Sequence, residues 1–349
     1  MKILTIILGA GASNGCYVDG VTALKDGNSS RWEPPLTSTL FHFKFNHLLS
    51  LYPKANSLAG DLRLAMKTEK DFSLEAWLRR QQALTTDKHR QAQLRQLPLY
   101  LRHLFKAVSD HYAAPEQTAY GMLINRINRY GIDKILVINL NYDLLFEQAL
   151  SVICDIKFQR EGDYIKPSSR WMVVKPHGSI NWYKKMIHQP EDIVGNTDVS
   201  YRTYLDNLDE IKLEDEVCLS DTCHDYFISE TLASGTYYRA VYPDITIPLQ
   251  GKYRFCCPEP HVSAAKKILT DCDSFLIIGS SFKDKDVSDM ILEAGRNKPI
   301  RFVDIVKNSS EKADIIERVS ECLIAPKIHP GGFAGFIEFG ECDKFLNRI

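Results

Sequence analysis

No Cys-x-x-Cys pair occurs anywhere among the nine cysteines of this 349-residue chain. The cysteines are scattered and odd in number, which argues against a disulfide framework and fits a reducing, cytoplasmic compartment. Charge of one sign is also missing. With 43 basic against 44 acidic residues the formal net charge is -1, so no general attraction for nucleic acid or for a membrane surface follows, and direct nucleic-acid binding is not expected. Nowhere do about 18 apolar residues run together as a membrane span needs. The opening Met-Lys-Ile-Leu-Thr-Ile-Ile-Leu-Gly is too short and too strand-like for a signal peptide. Internal repeats and low-complexity segments are absent as well.

What is present is an ordinary apolar fraction, 44%, and a strong first signal. Leu4-Thr-Ile-Ile-Leu8 runs without polar alternation into Gly9-Ala-Gly11-Ala-Ser13. An unbroken apolar run of that kind suits a parallel strand buried on both faces. The glycines let the chain turn sharply, and a following helix start would offer N–H groups to a phosphate. The spacing is Gly-x-Gly-x-Ser rather than the full dinucleotide fingerprint, and close packing alone also accounts for such glycines.

From about Leu58 to Tyr130 the chain reads as helical, with Leu94, Leu97, Leu101, Leu104 and Phe105 at helical spacing. Pro98 is expected to break or kink this block and Gly131 to end it. Arg79, Arg80, Arg90, Arg95 and Arg102 read as a solvated face, and His42 and His47 as structural. A second buried strand, Lys134 to Asn139, leads to Asn141-Tyr142-Asp143 and a helix. A third, Trp171 to Val174, leads to Lys175-Pro-His177-Gly178-Ser179. The polar stretch after Tyr183 reads as an insertion. Strand and helix then alternate again through Ser274 to Gly279-Ser-Ser281, a helix from about Asp284, a strand from Pro299 to Val306 and a helix from Glu311 to Glu321.

This order predicts an α/β fold, a doubly wound parallel (Rossmann-like) sheet with a helical subdomain and a polar insertion. The core would be residues 1–57, 131–182 and 247–349, the helical subdomain 58–130, and the insertion or small subdomain 183–246. In such a sheet ligands sit beyond the carboxyl ends of the strands. Four predicted strands end in Gly9–Ser13, Asn141–Asp143, His177–Ser179 and Gly279–Ser281. Each has a plain alternative: an N-cap for Asn-Tyr-Asp, a turn for His-Gly-Ser, a helix entry for Gly-Ser-Ser.

Taken in order, these four motifs resemble the sirtuin superfamily, and within it the prokaryotic sirtuin-like NAD-consuming branch. Pro248, Lys252, Asp284 and Asp286 are similar to that branch too. The resemblance implies that Gly9, Ala10, Gly11 and Ser13 line the phosphates of NAD. It implies that Asn141 and Asp143 flank the nicotinamide and its ribose, that His177 is the catalytic histidine, and that Gly279 and Ser280 meet the other half of NAD. Asn308 is a looser candidate near the adenosine. NAD would be the substrate, with no metal required. The arginine-bearing loop and zinc-binding cysteine pairs of protein deacylases are not found here. The resemblance therefore implies an NAD hydrolase releasing nicotinamide and ADP-ribose, in anti-phage defence. Lysine deacylation and NAD or ADP-ribose sensing without turnover are the alternatives. A homo-oligomer, or a complex with a sensor protein from a neighbouring gene, would supply the trigger.

Overall fold

The computed structural model describes residues 1–17, 32–69, 72, 74–83, 87–188, 198–208, 210–220, 226–232, 235–245, 255–280, 285–295, 300–303, 316–317 and 327–349. Among them, helices of five or more residues are numbered α1 to α11. The first strand, β1 (Ile3–Leu8), is buried at every position, as its unalternating apolar sequence requires. It runs parallel to β2 (Lys134–Asn139) on one side and to β8 (Ser274–Ile278) on the other. β3 (Trp171–Val174) extends the sheet beyond β2, and β9 (Ile300–Val303) and β10 (Lys327–His329) extend it beyond β8. The order β10-β9-β8-β1-β2-β3 is parallel throughout. The chain winds outward one way through β2 and β3 and the other way through β8, β9 and β10. The reversal lies between β1 and β8, which is where such sheets open a crevice for a ligand.

The crossover from β1 to β2 begins with α1 (Ala10–Asn14), then runs through α2 (Pro53–Thr68), α3 (Leu74–Ala83), α4 (Lys88–His111) and α5 (Ala119–Arg129). The expected break at Pro98 is not there: α4 continues through it. Pro98 costs the Leu94 carbonyl its helical N–H partner, but every residue from Ala92 to Arg102 is buried. Packing on both sides holds the helix through the defect. That burial also corrects the reading of the arginines. Arg80 is exposed, but Arg95 and Arg102 are only 8% and 9% exposed. Arg95 donates to the carbonyls of Leu205 and Leu208 at the end of another helix. Arg102 donates to the Tyr183 hydroxyl, with its guanidinium 5.2 Å and 5.3 Å from the ring centroids of Tyr183 and Tyr226.

Between β2 and β3 comes α6 (Leu145–Cys154). After β3 the chain builds a second sheet, antiparallel, from β4 (Gly178–Met186), β5 (Leu213–Leu219), β6 (Phe227–Leu232) and β7 (Gly235–Ile245), in the order β5-β4-β7-β6. The helix α7 (Asp198–Asn207) precedes β5. The described residues of the polar stretch from 183 to 246 are therefore largely strand, and β4 starts just before it, next to His177. The helices α8 (Glu259–Asp271), α9 (Lys285–Gly295), α10 (Gly332–Glu338) and α11 (Glu341–Leu346) complete the layers around the parallel sheet.

Candidate functional site

The four motif-bearing strands β8, β1, β2 and β3 are adjacent and parallel, so their polar ends fall on one edge. At the reversal point the two glycine turns meet backbone to backbone. Gly279 has φ of +59°, and a Cβ there would lie 2.1 Å from the Ala12 nitrogen; one on Gly9 would lie 2.5 Å from the Gly279 oxygen. The Gly11 N–H donates to the Gly279 carbonyl at 2.8 Å and the Ala12 N–H to the Gly9 carbonyl at 2.8 Å. These glycines have a packing reason of their own. Two of the N–H groups expected to face a phosphate are spent inside the protein, and α1 is only five residues long. Ala10, Gly11 and Gly279 remain half-buried, whereas Ser13 and Ser280 are buried.

Asn141, 6% exposed, sits beneath this turn. Its Nδ2 lies 3.0 Å from the Gly9 carbonyl, 3.0 Å from Ser13 Oγ and 3.3 Å from the Tyr120 hydroxyl. The Tyr120 hydroxyl is in turn 2.9 Å from Ser13 Oγ. The side chain expected beside the nicotinamide ribose is thus a strut between strand ends. Tyr120 was not singled out in the sequence, where it is one apolar-face position of a helix. Only its long-range partners mark it.

Asp143 is 1% exposed. Its Oδ1 accepts the Leu145 N–H at 3.2 Å, so the carboxylate also holds the first residue of α6. Burial raises its pKa above the ordinary carboxylate range, opposed first by the Lys175 ammonium and then by the Ser13 hydroxyl. Lys175 is wholly buried, 2.6 Å from the Asp143 carbonyl oxygen and 2.6 Å from Glu147 Oε1. Glu147 is raised by burial as well, again opposed by Lys175.

His177 is half-buried where β3 passes into β4. Its Nδ1 lies 3.1 Å from the Leu140 carbonyl. A carbonyl only accepts, so Nδ1 carries the proton and the Nε2 lone pair is the basic position of the neutral ring. Gly178, with φ of +79°, is required next to it: a Cβ there would lie 1.9 Å from the Asp244 oxygen across β4 and β7. Gly9 thus packs on Gly279 and Ser280 and is joined through Asn141 to Ser13, with His177 tied to the Asn141 loop through Leu140. Asn308 lies outside the described residues, as do Pro248, Lys252, Ser281 and Asp284.

A cavity of about 510 Å³ lies beside α6, lined among others by Arg102, Lys106, Glu147, Gln148 and Asn181. Its described lining includes none of Gly9, Asn141, Asp143 or His177. Among the described residues, no three His, Cys, Asp or Glu side chains converge as a metal ion needs. Cys218 donates its Sγ–H to the Tyr183 carbonyl at 3.3 Å, and burial pushes the Cys257 thiol up to about 12. Burial thus disfavours the Cys257 thiolate. No helix of the described residues is long and apolar enough to cross a membrane.

A family model described as "SIR2-like domain" matches residues 135–313, just over half of the 349-residue chain. Solved structures align at low identity. One is described as "Crystal structure of a Sir2 homolog-NAD complex": 10% identity, 99% of this chain, 90% of that chain, TM-score 0.39. Another, "Structural Basis for the Mechanism and Regulation of Sir2 Enzymes", aligns at 15% identity over 99% and 92% of the two chains, with a TM-score of 0.39. No curated protein matches the chain.

Proposed function

This chain belongs to the SIR2-like domain family, and we propose that it is an NAD glycohydrolase, converting NAD and water to nicotinamide, ADP-ribose and a proton. The observation that carries the reading is the convergence at one strand edge. A glycine turn, a buried carboxyl on Asp143 and a histidine with its Nε2 lone pair fixed by the Leu140 carbonyl meet around the Asn141 strut.

The chemistry needs little more. The C1′–N bond breaks with its electron pair leaving on the nicotinamide nitrogen, which neutralises the cationic ring. Water adds to C1′ of the oxocarbenium-like ribose and gives up a proton. His177 takes that proton at Nε2, a task suited to a histidine near neutral pH. Asp143 accepts a hydrogen bond from the carboxamide, and its negative charge favours the cationic ring. Asn141 keeps the turn bearing Gly9, Ala10, Gly11 and Ser13 in register with the loop bearing Asp143. Ala10, Gly11, Gly279 and Ser280 then form the wall nearest the phosphates and the far ribose, with Asn308 as an adenosine contact. No step calls for a Lewis acid.

The test is to incubate the pure protein with NAD and follow nicotinamide release with and without an acylated peptide. Release without peptide supports hydrolysis. Peptide-dependent release would replace it with deacylation, and binding without release with sensing. The resemblance to the NAD-consuming branch supports anti-phage defence, with the trigger supplied by self-assembly or a neighbouring-gene partner. Its test is cellular NAD, with and without phage, in cells carrying the chain alone or with its genomic neighbours. Unregulated NAD loss from the chain alone, as a monomer, would reject the external trigger.

A further inference from the structure

We propose that Lys175, with Glu147 and Asn139, is a positioning device that grips the Asn141–Asp143 loop at both ends from beneath. The inference rests on the NAD-cleaving reading for its catalytic consequence but not for its geometry.

The contacts form one chain. Lys175 Nζ donates to the Asp143 carbonyl at 2.6 Å and pairs with Glu147 Oε1 at 2.6 Å. The other oxygen of Glu147 accepts from Asn139 Nδ2 at 3.3 Å. Asn139 Oδ1 then accepts the backbone N–H of Asn141 at 3.1 Å. The backbone of the loop is thus held at its first residue through an N–H and at its third through a C=O. Three elements contribute: Asn139 ends β2, Glu147 lies on α6, and Lys175 follows β3.

A buried ion pair is poor evidence for stability, because well-packed apolar side chains of the same volume often serve as well or better. Lys175 and Glu147 have side chains 0% and 4% exposed, so the desolvation cost is close to complete. What apolar side chains cannot do is hold a backbone carbonyl and a backbone N–H in place. The arrangement also sets one cation between two carboxyls, Asp143 and Glu147, and Lys175 favours the charged form of both against burial. For Asp143 that is the form a cationic nicotinamide ring needs. Lys175 is two residues before His177, so one short segment delivers both the grip and the base.

The experiment compares wild type with Lys175→Met and with the double variant Lys175→Met/Glu147→Gln. The single variant leaves a buried carboxylate without its partner and is expected to lose stability or fold. The double variant also neutralises Glu147, and Asp143, which burial already pushes towards its neutral form, is left to take up a proton. This variant is expected to recover a cooperative melt near that of wild type, with kcat for nicotinamide release down on the order of 10²-fold. KM should change much less, because the wall nearest the NAD phosphates is untouched. Hydrogen exchange should quicken in the peptide spanning 139–147 and stay unchanged in β1 and β8. Wild-type kcat with unaltered exchange in the double variant would overturn the proposal and leave the pair a filler. Should the double variant not fold, Asn139→Ala frees the Asn141 N–H while leaving Lys175 and Glu147 in place, at the cost of the one hydrogen bond from Asn139 to Glu147, and carries the same two readouts. If wild type releases no nicotinamide, the hydrolase reading fails by itself. Exchange then decides the grip alone: faster only at 139–147 supports it, and unchanged exchange sinks it.

Discussion

The hydroxyl of Tyr120, on a helix of the β1–β2 crossover, stands 2.9 Å from Ser13 Oγ in the glycine turn. It also meets Asn141 Nδ2 at 3.3 Å. Three segments of the chain are joined through that one oxygen, and the ring behind it is fully buried. Tyr120→Phe keeps the ring and deletes the bridge. It should cost about 1 kcal/mol of stability, the usual worth of a hydrogen bond, while slowing NAD cleavage by on the order of 10-fold or more through a loosened Asn141. Tyr120→Ala should instead unfold the region, since a buried aromatic is lost. A Tyr120→Phe protein that cleaves NAD at the wild-type rate would remove Tyr120 from the machinery.

His177 is predicted to be the base. His177→Ala should lower nicotinamide release on the order of 10²-fold or more, with the melt nearly unchanged because the ring is only half-buried. Asp143→Ala should match that loss. It should also cost stability, because Asp143 Oδ1 holds the Leu145 N–H at the start of α6. Near-normal cleavage by His177→Ala would refute the assigned chemistry.

Gly279 is where the two glycine turns cannot tolerate a side chain. With φ of +59° and 2.1 Å between a built Cβ and the Ala12 nitrogen, Gly279→Ala must push β8 and β1 apart at their carboxyl ends. The expected result is a large loss of thermal stability, with NAD binding lost in whatever remains folded. Gly60→Ala is the control, since nothing lies within 4 Å of its built Cβ. Equal stability of the two variants would contradict the described packing.

The sheet was legible because its strands are short apolar runs ending in glycine or polar residues, a pattern that needs no distant partner. The motifs at Gly9, Asn141, His177 and Gly279 follow from that pattern, as does their common edge once the strands are parallel. Tyr120, Lys175, Glu147 and Asn139 were not singled out. Tyr120 acts through partners far away along the chain, Lys175 and Glu147 through a buried charge, and Asn139 through an amide turned onto the next loop; none of these leaves a trace in local periodicity. Arg95 and Arg102 were misread for a related reason. A helix whose polar stripe is roofed by another element has the same sequence as one facing water. In the antiparallel sheet, β5 hid behind Asp215 and Glu216, polar residues that face outward. Asn139 shows the limit: it reads as the last residue of a strand, and only the fold reveals that its amide holds the next loop.

The last prediction concerns two buried groups that bend stability with pH in opposite directions. Asp244 on β7 is pushed by burial from 3.8 up to about 6, against the pull of Lys184 3.8 Å away. The folded state therefore binds its proton more tightly than the unfolded chain does, and stability is lost as pH rises from about 4 to about 6. His261 on α8 packs against the rings of Tyr164 and Trp182, 6.1 Å and 5.6 Å away between centroids. Burial lowers it from 6.5 to about 4, so the unfolded chain takes up the proton first and stability is lost as pH falls from about 6.5 to about 4. Each shift is worth roughly 3 kcal/mol across its window. Urea unfolding at pH 4, 5, 6 and 7 separates them by difference from wild type. Asp244→Asn should gain on wild type as pH rises through the window and then level off. His261→Gln should gain on wild type as pH falls. Differences that stay flat with pH in both variants would show that neither group shifts on folding.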